Sequence, residues 1–327
     1  MNRRDVLVFA LLATSALAVT MAPAQEAYPV RPIRLVIPSV PAGVHDVIGR
    51  VWAERIKPHL GTVVIDNRGG GGGLIGANDV AHAQPDGYSI LLGSTSTHVL
   101  LTPVMANPPY HPVRDFSAIA VFAYSSTSIV VHPTVPARTL KDLIEYAKAH
   151  PGKLSYGSAG NGSITNLAGE LFKLRAGALD IVHVPYKGIG QGVTDLIAGQ
   201  IPMFSANATA QILDLHRAGK LHILSVNSQT RIRSAPDIPT SIEAGLPGMV
   251  AQTTFGIFAP AGTPRPILDR VNAVTQQAMA DPQFQNELVR IGFEPVLDIG
   301  PDRAAAVFQD ELARWTPILT ALGSKPE

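Results

Sequence analysis

The chain contains no cysteine. That excludes thiol nucleophiles, disulfides, cysteine zinc sites and a lipidated amino-terminal cysteine. A protein without such links must hold together through its core, and about 300 residues suffice for two domains. Excess charge of either sign is also missing, with 26 basic and 25 acidic side chains among 327 residues. A chain so nearly neutral has no overall field to hold nucleic acid or an anionic membrane surface, both of which need clustered Lys and Arg. The ten histidines form no H-x-H or H-E-x-x-H pair, so no metal site is expected. G-x-x-x-x-G-K-[ST] is absent, no pair of acids stands out as an acid–base couple, and no cofactor is expected.

A long hydrophobic span is missing as well. The uncharged run from Val6 to about Val19 is too short and alanine-rich for a membrane helix, which needs about 20 strongly apolar residues. Arg3 and Arg4 precede it and Ala22-Pro23-Ala24 follows. This is the pattern of a secretory signal, with cleavage expected between Ala24 and Gln25 and the mature protein expected in the periplasm. Asp5-Val6-Leu7 fits the twin-arginine route poorly. Cleavage removes two basic and one acidic residue, leaving 24 of each.

What remains alternates short apolar runs with helical patterns. Ile33 to Ile37 reads as a buried strand, and Val47, Ile48, Val51, Trp52 and Ile56 fall on one face of a helix ending near Gly61. Thr62–Ile65, Ser89–Leu92, Ile129–Val131, Ile181–Val184 and Leu221–Val226 read as further strands. Helices are expected through Leu140–Ala147 and Ile164–Phe172, then from Pro266 to about Ile291 and from Asp302 to Leu322. The alternation predicts an α/β fold with mainly parallel sheets. No Gly/Ser-rich linker divides the chain, so two domains joined by crossing strands are expected, with crossings near Val121–Val131 and Leu224–Ser228. The boundaries expected are 1–24 for the signal, 25–125 with 229–327 for one domain, and 126–228 for the other.

The glycines Gly69 to Gly73 invite a nucleotide reading, and Gly71 to Gly76 formally fits G-x-G-x-x-G. The next strand, however, ends in Leu92-Gly93-Ser94-Thr95 without the acid a ribose needs, which favours a tight turn and close helix–sheet packing. Ser158 is the nearest candidate for a nucleophile elbow, but Tyr156 replaces the first glycine of G-x-S-x-G. His98 reads as a polar residue near a loop and His183 as a satisfied strand histidine. Three small polar loops each follow a strand and run into a helix: Ser39 to Asp46, Gly93 to His98, and Gly157 to Ser163. Ligands of open α/β sheets bind at the carboxyl ends of strands. Free amides at a helix start hold an anion there without Lys or Arg. Equally, Ser163, Thr97 and Asp46 suit plain helix N-caps.

At these loops the sequence resembles the Bug family, the extracytoplasmic solute-binding proteins of tripartite tricarboxylate transporters. The resemblance runs from Tyr28 to the C-terminal helices. It rests on Pro41-Ala42-Gly43-Val44-His45-Asp46, Asp66-Asn67-Arg68, Pro85-Asp86-Gly87-Tyr88, Asn161-Gly162-Ser163, Leu167 to Phe172, His183 to Gly188, Ala244 to Gly248 and Phe258 to Pro264. It implies a type II periplasmic-binding-protein fold, two α/β domains closing over a ligand cleft. It also implies capture of a small organic carboxylate, delivered to the membrane permease of such a transporter by a monomeric, non-enzymatic protein. By position, Ala42, Gly43, Asp46, Ser94, Thr97, Gly162, Ser163, Asn207 and Thr254 match the family's cleft residues, Asp46 being expected as a helix N-cap that orients the first loop. Val44-His45, Asn166, Ala206 and Thr254 stand where Gly-Thr, His, Asp and Trp are common in the family. Losing an acid and an aromatic points to an aliphatic carboxylate over an amino acid. A co-receptor for a membrane sensor kinase shares the fold and the cleft, and a secreted hydrolase is the more distant alternative.

Overall fold

The computed structural model describes residues 28–177 and 179–322. The expected signal segment and its cleavage site lie outside the described residues, and the fold is carried by the unit from Arg31 onward.

Ile33–Ile37 (β1) is almost wholly buried, as its unbroken apolar run requires. It leads through a short loop to a helix, Val44–Leu60 (α1), which buries Ile48, Trp52, Ile56 and Leu60 on one stripe. Val63–Asn67 (β2), a helix at Leu74–Ala81 (α2) and Ser89–Ser94 (β3) follow. β1 pairs with β2 and β3, both in parallel.

A 16-residue strand, Phe116–Val131 (β4), then runs through the middle of the fold. Its stretch from Phe116 to Ser126 pairs with Gln252–Pro260 (β9), and its last five residues pair with Met203–Asn207 (β7) and His222–Val226 (β8). Beyond β7, Leu154–Ser158 (β5) and Ile181–Pro185 (β6) again run parallel. Leu140–Ala149 (α3), Ile164–Arg175 (α4), Ile189–Ile197 (α5) and Ala210–Arg217 (α6) connect these strands. The expectation of mainly parallel sheets holds only on the flanks. The centre is antiparallel, because β4 leaves the first group of strands and β9 returns beside it.

Where β4 changes partners, three backbone segments meet. The Thr127 N–H donates to the Ala251 carbonyl (3.0 Å), Asn227 N–H to that of Thr127 (2.7 Å), and Ala251 N–H to that of Asn227 (2.8 Å). Both sequence segments expected to carry crossings contribute to this ring.

The carboxy-terminal part is helical but divided. The single helix expected from Pro266 is two, Arg265–Met279 (α7) and Pro282–Arg290 (α8). Asp281 breaks it by accepting from the Gln283 N–H (2.8 Å), with Pro282 at the first helical position, where a missing N–H costs nothing. A two-residue strand, Glu294–Pro295 (β10), pairs with β4, and Pro301–Ala321 (α9) closes the fold. Among the described residues no helix is long and apolar enough to cross a membrane.

Candidate functional site

The loop between β1 and α1 is set by Asp46. Its buried carboxylate accepts from the Ala42 N–H (2.8 Å), Arg50 Nε (2.9 Å) and Asn67 Nδ2 (2.9 Å). Burial alone raises the pKa of this acid, but Arg50, the Ala42 amide and Asn67 together hold it below the usual carboxylate range. The expectation for Asp46 is corrected in one respect. Gly43 is the N-cap, and Asp46 lies in the first turn, reaching back to hold Ala42 at a φ of 62°, a left-handed conformation unusual for a residue with a Cβ. All its acceptors being engaged internally, Asp46 shapes the loop.

The second loop leaves β3 as a π-helical turn, Ser96–Leu100, instead of an α-helix start. Thr97 caps nothing there. Its hydroxyl accepts from the Ser94 N–H (2.9 Å) and donates to the Ser94 carbonyl (3.1 Å), fully buried. The Ser94 hydroxyl lies 2.9 Å from His45 Nε2, joining this loop to the first. His98 is not a loop-side polar group. It is buried, stacked on Phe258 with centroids 3.8 Å apart, and burial pushes its imidazole down to about 3.

The third loop precedes α4. Ser163 is its N-cap, accepting from the Asn166 N–H (3.2 Å) and donating to the Gly160 carbonyl (2.7 Å). The Gly162 N–H donates to Asn166 Oδ1 (3.1 Å), so Asn166 acts as a second cap. Beneath the loop, Ser158 Oγ lies 2.8 Å from His183 Nε2 and accepts from the Gly160 N–H (3.1 Å). Ser158 is fully buried, a brace for the loop without the open face a nucleophile needs, and His183 is satisfied within its strand. Because its one proton serves Gly160, the Ser163 hydroxyl has none left for a ligand. Ser163→Ala is therefore expected to cost about 1 kcal/mol of stability and to leave ligand affinity nearly unchanged. Chemical unfolding and calorimetric titration of this variant check both halves. A tenfold loss of affinity at wild-type stability would return the hydroxyl to the binding site.

Asn207 ends β7 near the strand junction, donating to Ser125 Oγ (3.3 Å) and Thr253 Oγ1 (3.2 Å). Thr254, next along β9, stands on the opposite face. Its hydroxyl donates to Glu311 of α9, which also accepts from Thr95 (2.8 Å). Strand alternation instead puts Thr253 and Phe255 on the face shared with Asn207 and His45. Phe255 meets the His45 ring edge-on at 5.0 Å.

Leu101, just after the second loop, packs between the glycine run and the third loop. Its Cδ2 lies 3.1 Å from where a Cβ on Gly72 would stand and 3.6 Å from one on Gly162. The glycine run thus serves close packing, with a Gly73 Cβ falling 2.9 Å from Thr97 Cγ2. Ala42, Gly43, Ser94, Gly162, Ser163 and Asn207 stand on these loops and strand ends as expected, and Leu101, Thr253 and Phe255, not among the expected residues, stand beside them. The period-two pattern of β9 could have exchanged Thr254 for its neighbours.

The converging groups are amides, hydroxyls, a carboxamide and a neutral imidazole. Two helix starts, of α1 and α4, supply first-turn N–H groups, which suit an anion and need no countercharge. Among the described residues no group of three His, Asp or Glu side chains is placed to hold a metal.

Residues 48–324 match the family model described as the tripartite tricarboxylate transporter family receptor. A curated relative from Pseudomonas sp. strain P51, the UPF0065 protein in the tcbD-tcbE intergenic region, is 36% identical over 97% of this chain and 94% of its own. Among solved structures, R. palustris Rpa4515 with adipate is 32% identical with a TM-score of 0.85, covering 92% of this chain and 100% of its own. MatC from Rhodopseudomonas palustris with bound malate is 28% identical with a TM-score of 0.81, covering 89% and 100%. The fold is thus the mixed α/β fold of periplasmic binding proteins, and the chain belongs to the tripartite tricarboxylate transporter receptors, a family of extracytoplasmic solute-binding proteins.

Proposed function

We propose that this receptor captures a small aliphatic carboxylate between its glycine-containing loops and delivers it to the membrane permease of a tripartite tricarboxylate-type transporter. The observation that carries this reading is the set of uncharged donors on the loops at the α1 and α4 starts, the first loop joined to the second by His45 and Ser94 and the second meeting the third through Leu101 and Gly162, with the loop acid Asp46 paired to Arg50. The adipate- and malate-bound neighbours support an aliphatic acid of a few carbons. In this reading residues 25–125 with 229–327 form one lobe and 126–228 the other, the pivot being the ring of Thr127, Asn227 and Ala251. The protein works as a periplasmic monomer, released by cleavage after Ala24.

Binding without turnover is the test. A ligand specific to the folded state stabilises it by about 2.7 kcal/mol at one hundred times its dissociation constant. A thermal-shift screen of the mature protein against aliphatic mono- and dicarboxylates is therefore expected to find one that raises Tm by several degrees and is recovered unchanged. Chemical conversion of the bound acid above background would move the protein to the enzymes.

A further inference from the structure

His45 has no role in bracing its own loop. It is the second residue of α1, with Nε2 2.9 Å from Ser94 Oγ and its ring edge-on to Phe255. Among the described residues the ring makes no other hydrogen bond, and Nδ1 is not among the sealed polar atoms, so this nitrogen is open. A neutral imidazole carries one N–H, and the partner at one nitrogen fixes what the other offers. When the Ser94 hydroxyl donates to Nε2, the proton sits on Nδ1, the nitrogen left without a partner.

We propose that His45 is a specificity-determining residue whose Nδ1–H, set by the Ser94 hydroxyl on Nε2, contacts an oxygen of the captured carboxylate. The inference rests on the carboxylate reading above. Its consequence is that capture is linked to a proton. In the free protein burial pushes the imidazole down to about 4, with no charged group contributing. The groups around it are uncharged or paired: β3 offers Ser94, β9 offers Phe255, and Asp46, the next residue on α1, is paired with Arg50. A docked carboxylate supplies the missing anionic partner and raises the proton affinity of the ring. The bound form then holds a proton that the free form has lost, so binding tightens as pH falls. Affinity is therefore expected to be higher at pH 5.5 than at pH 7.

The experiment is calorimetric titration of wild type, His45→Ala and His45→Gln with malate, adipate and the intervening dicarboxylates. Each is run at pH 5.5 and 7 in buffers of different ionisation enthalpy. His45→Ala is expected to bind roughly tenfold or more weakly, the range for a lost hydrogen bond to a charged group. His45→Gln, whose amide still reaches Ser94, should retain more affinity but lose the proton uptake that wild type shows at pH 5.5. Unfolding curves confirm that both variants are folded. If wild type binds but shows no proton uptake, or if His45→Gln keeps it, the ring at most positions Ser94 and the inference is overturned while the carboxylate reading stands. If wild type binds none of the acids, both are overturned.

Discussion

Replacing Gly162 by Asp is expected to abolish carboxylate capture, a loss of more than about a hundredfold, because it sets like charge where the proposed ligand carboxylate would dock. The fold should survive. A Cβ at this position meets only Leu101 Cδ2, at an ordinary 3.6 Å, and at a φ of 72° Asp is among the better-tolerated residues. Gly162→Ala is the control, adding the same Cβ without the charge, and should keep most of the affinity. Calorimetric titration of the two variants decides the matter. Wild-type affinity in Gly162→Asp would place the anion elsewhere than at the start of α4.

Gly169→Ala, on the same helix, is expected to cost about 3 kcal/mol of stability through overpacking. The added Cβ falls 2.2 Å from Tyr156 Cε2 and 2.5 Å from its Cζ. The ring cannot swing away. It is fully buried, and its hydroxyl donates to Glu170 Oε1 (2.6 Å) and accepts from Asn166 Nδ2 (3.0 Å). Gly190→Ala in α5 gives the opposite expectation, since nothing lies within 4 Å of its Cβ and φ is not positive. There the gain is about 0.5–1 kcal/mol, from a less flexible unfolded chain. Urea unfolding of both variants measures the contrast, and a neutral Gly169→Ala would mean that α4 sits less tightly on β5 than the contact implies.

Much of the scaffold was legible in the sequence, and the limits have physical causes. The strand Ile33–Ile37 and the helix of Trp52 and Ile56 were readable because burial on two faces or on one stripe writes a continuous or 3.6-residue pattern. β4 was read only at its end, Ile129–Val131. Its serines and alanines at 117–128 are chosen by neighbouring strands and hide its length from local pattern. The break at Asp281-Pro282 was legible in principle, since Pro begins helices and Asp caps them, but apolar periodicity on both sides obscured it. In the site, the residue types fixed which loops carry small polar groups. They did not reveal which hydroxyls are already committed. Ser163 and Thr97 look alike as donors in sequence, yet one caps a helix and the other is tied to Ser94. Thr254 stands on the face of β9 toward Glu311, opposite the Thr253 that meets Asn207, a one-residue step that sequence position does not distinguish.

The ring of amides at Thr127, Asn227 and Ala251 has a consequence for what solution conditions can control. Its side-chain contacts are equally uncharged. Thr127 Oγ1 accepts from Asn227 Nδ2 (2.8 Å), Ser241 donates to Asn227 Oδ1 (2.6 Å), and Asn207 bridges Ser125 and Thr253 nearby. The contact with a charged side chain comes from outside the ring, where Arg314 donates to the Val250 carbonyl (3.0 Å). Salt screens charges and protons act on titratable groups, so neither has much purchase on the ring, whose proposed role is a pivot. Ionic strength and acidity should leave the mechanical balance of the two strand groups unchanged. If the proposed site is right, they act instead on the loops, through the charge of the ligand and the His45 imidazole.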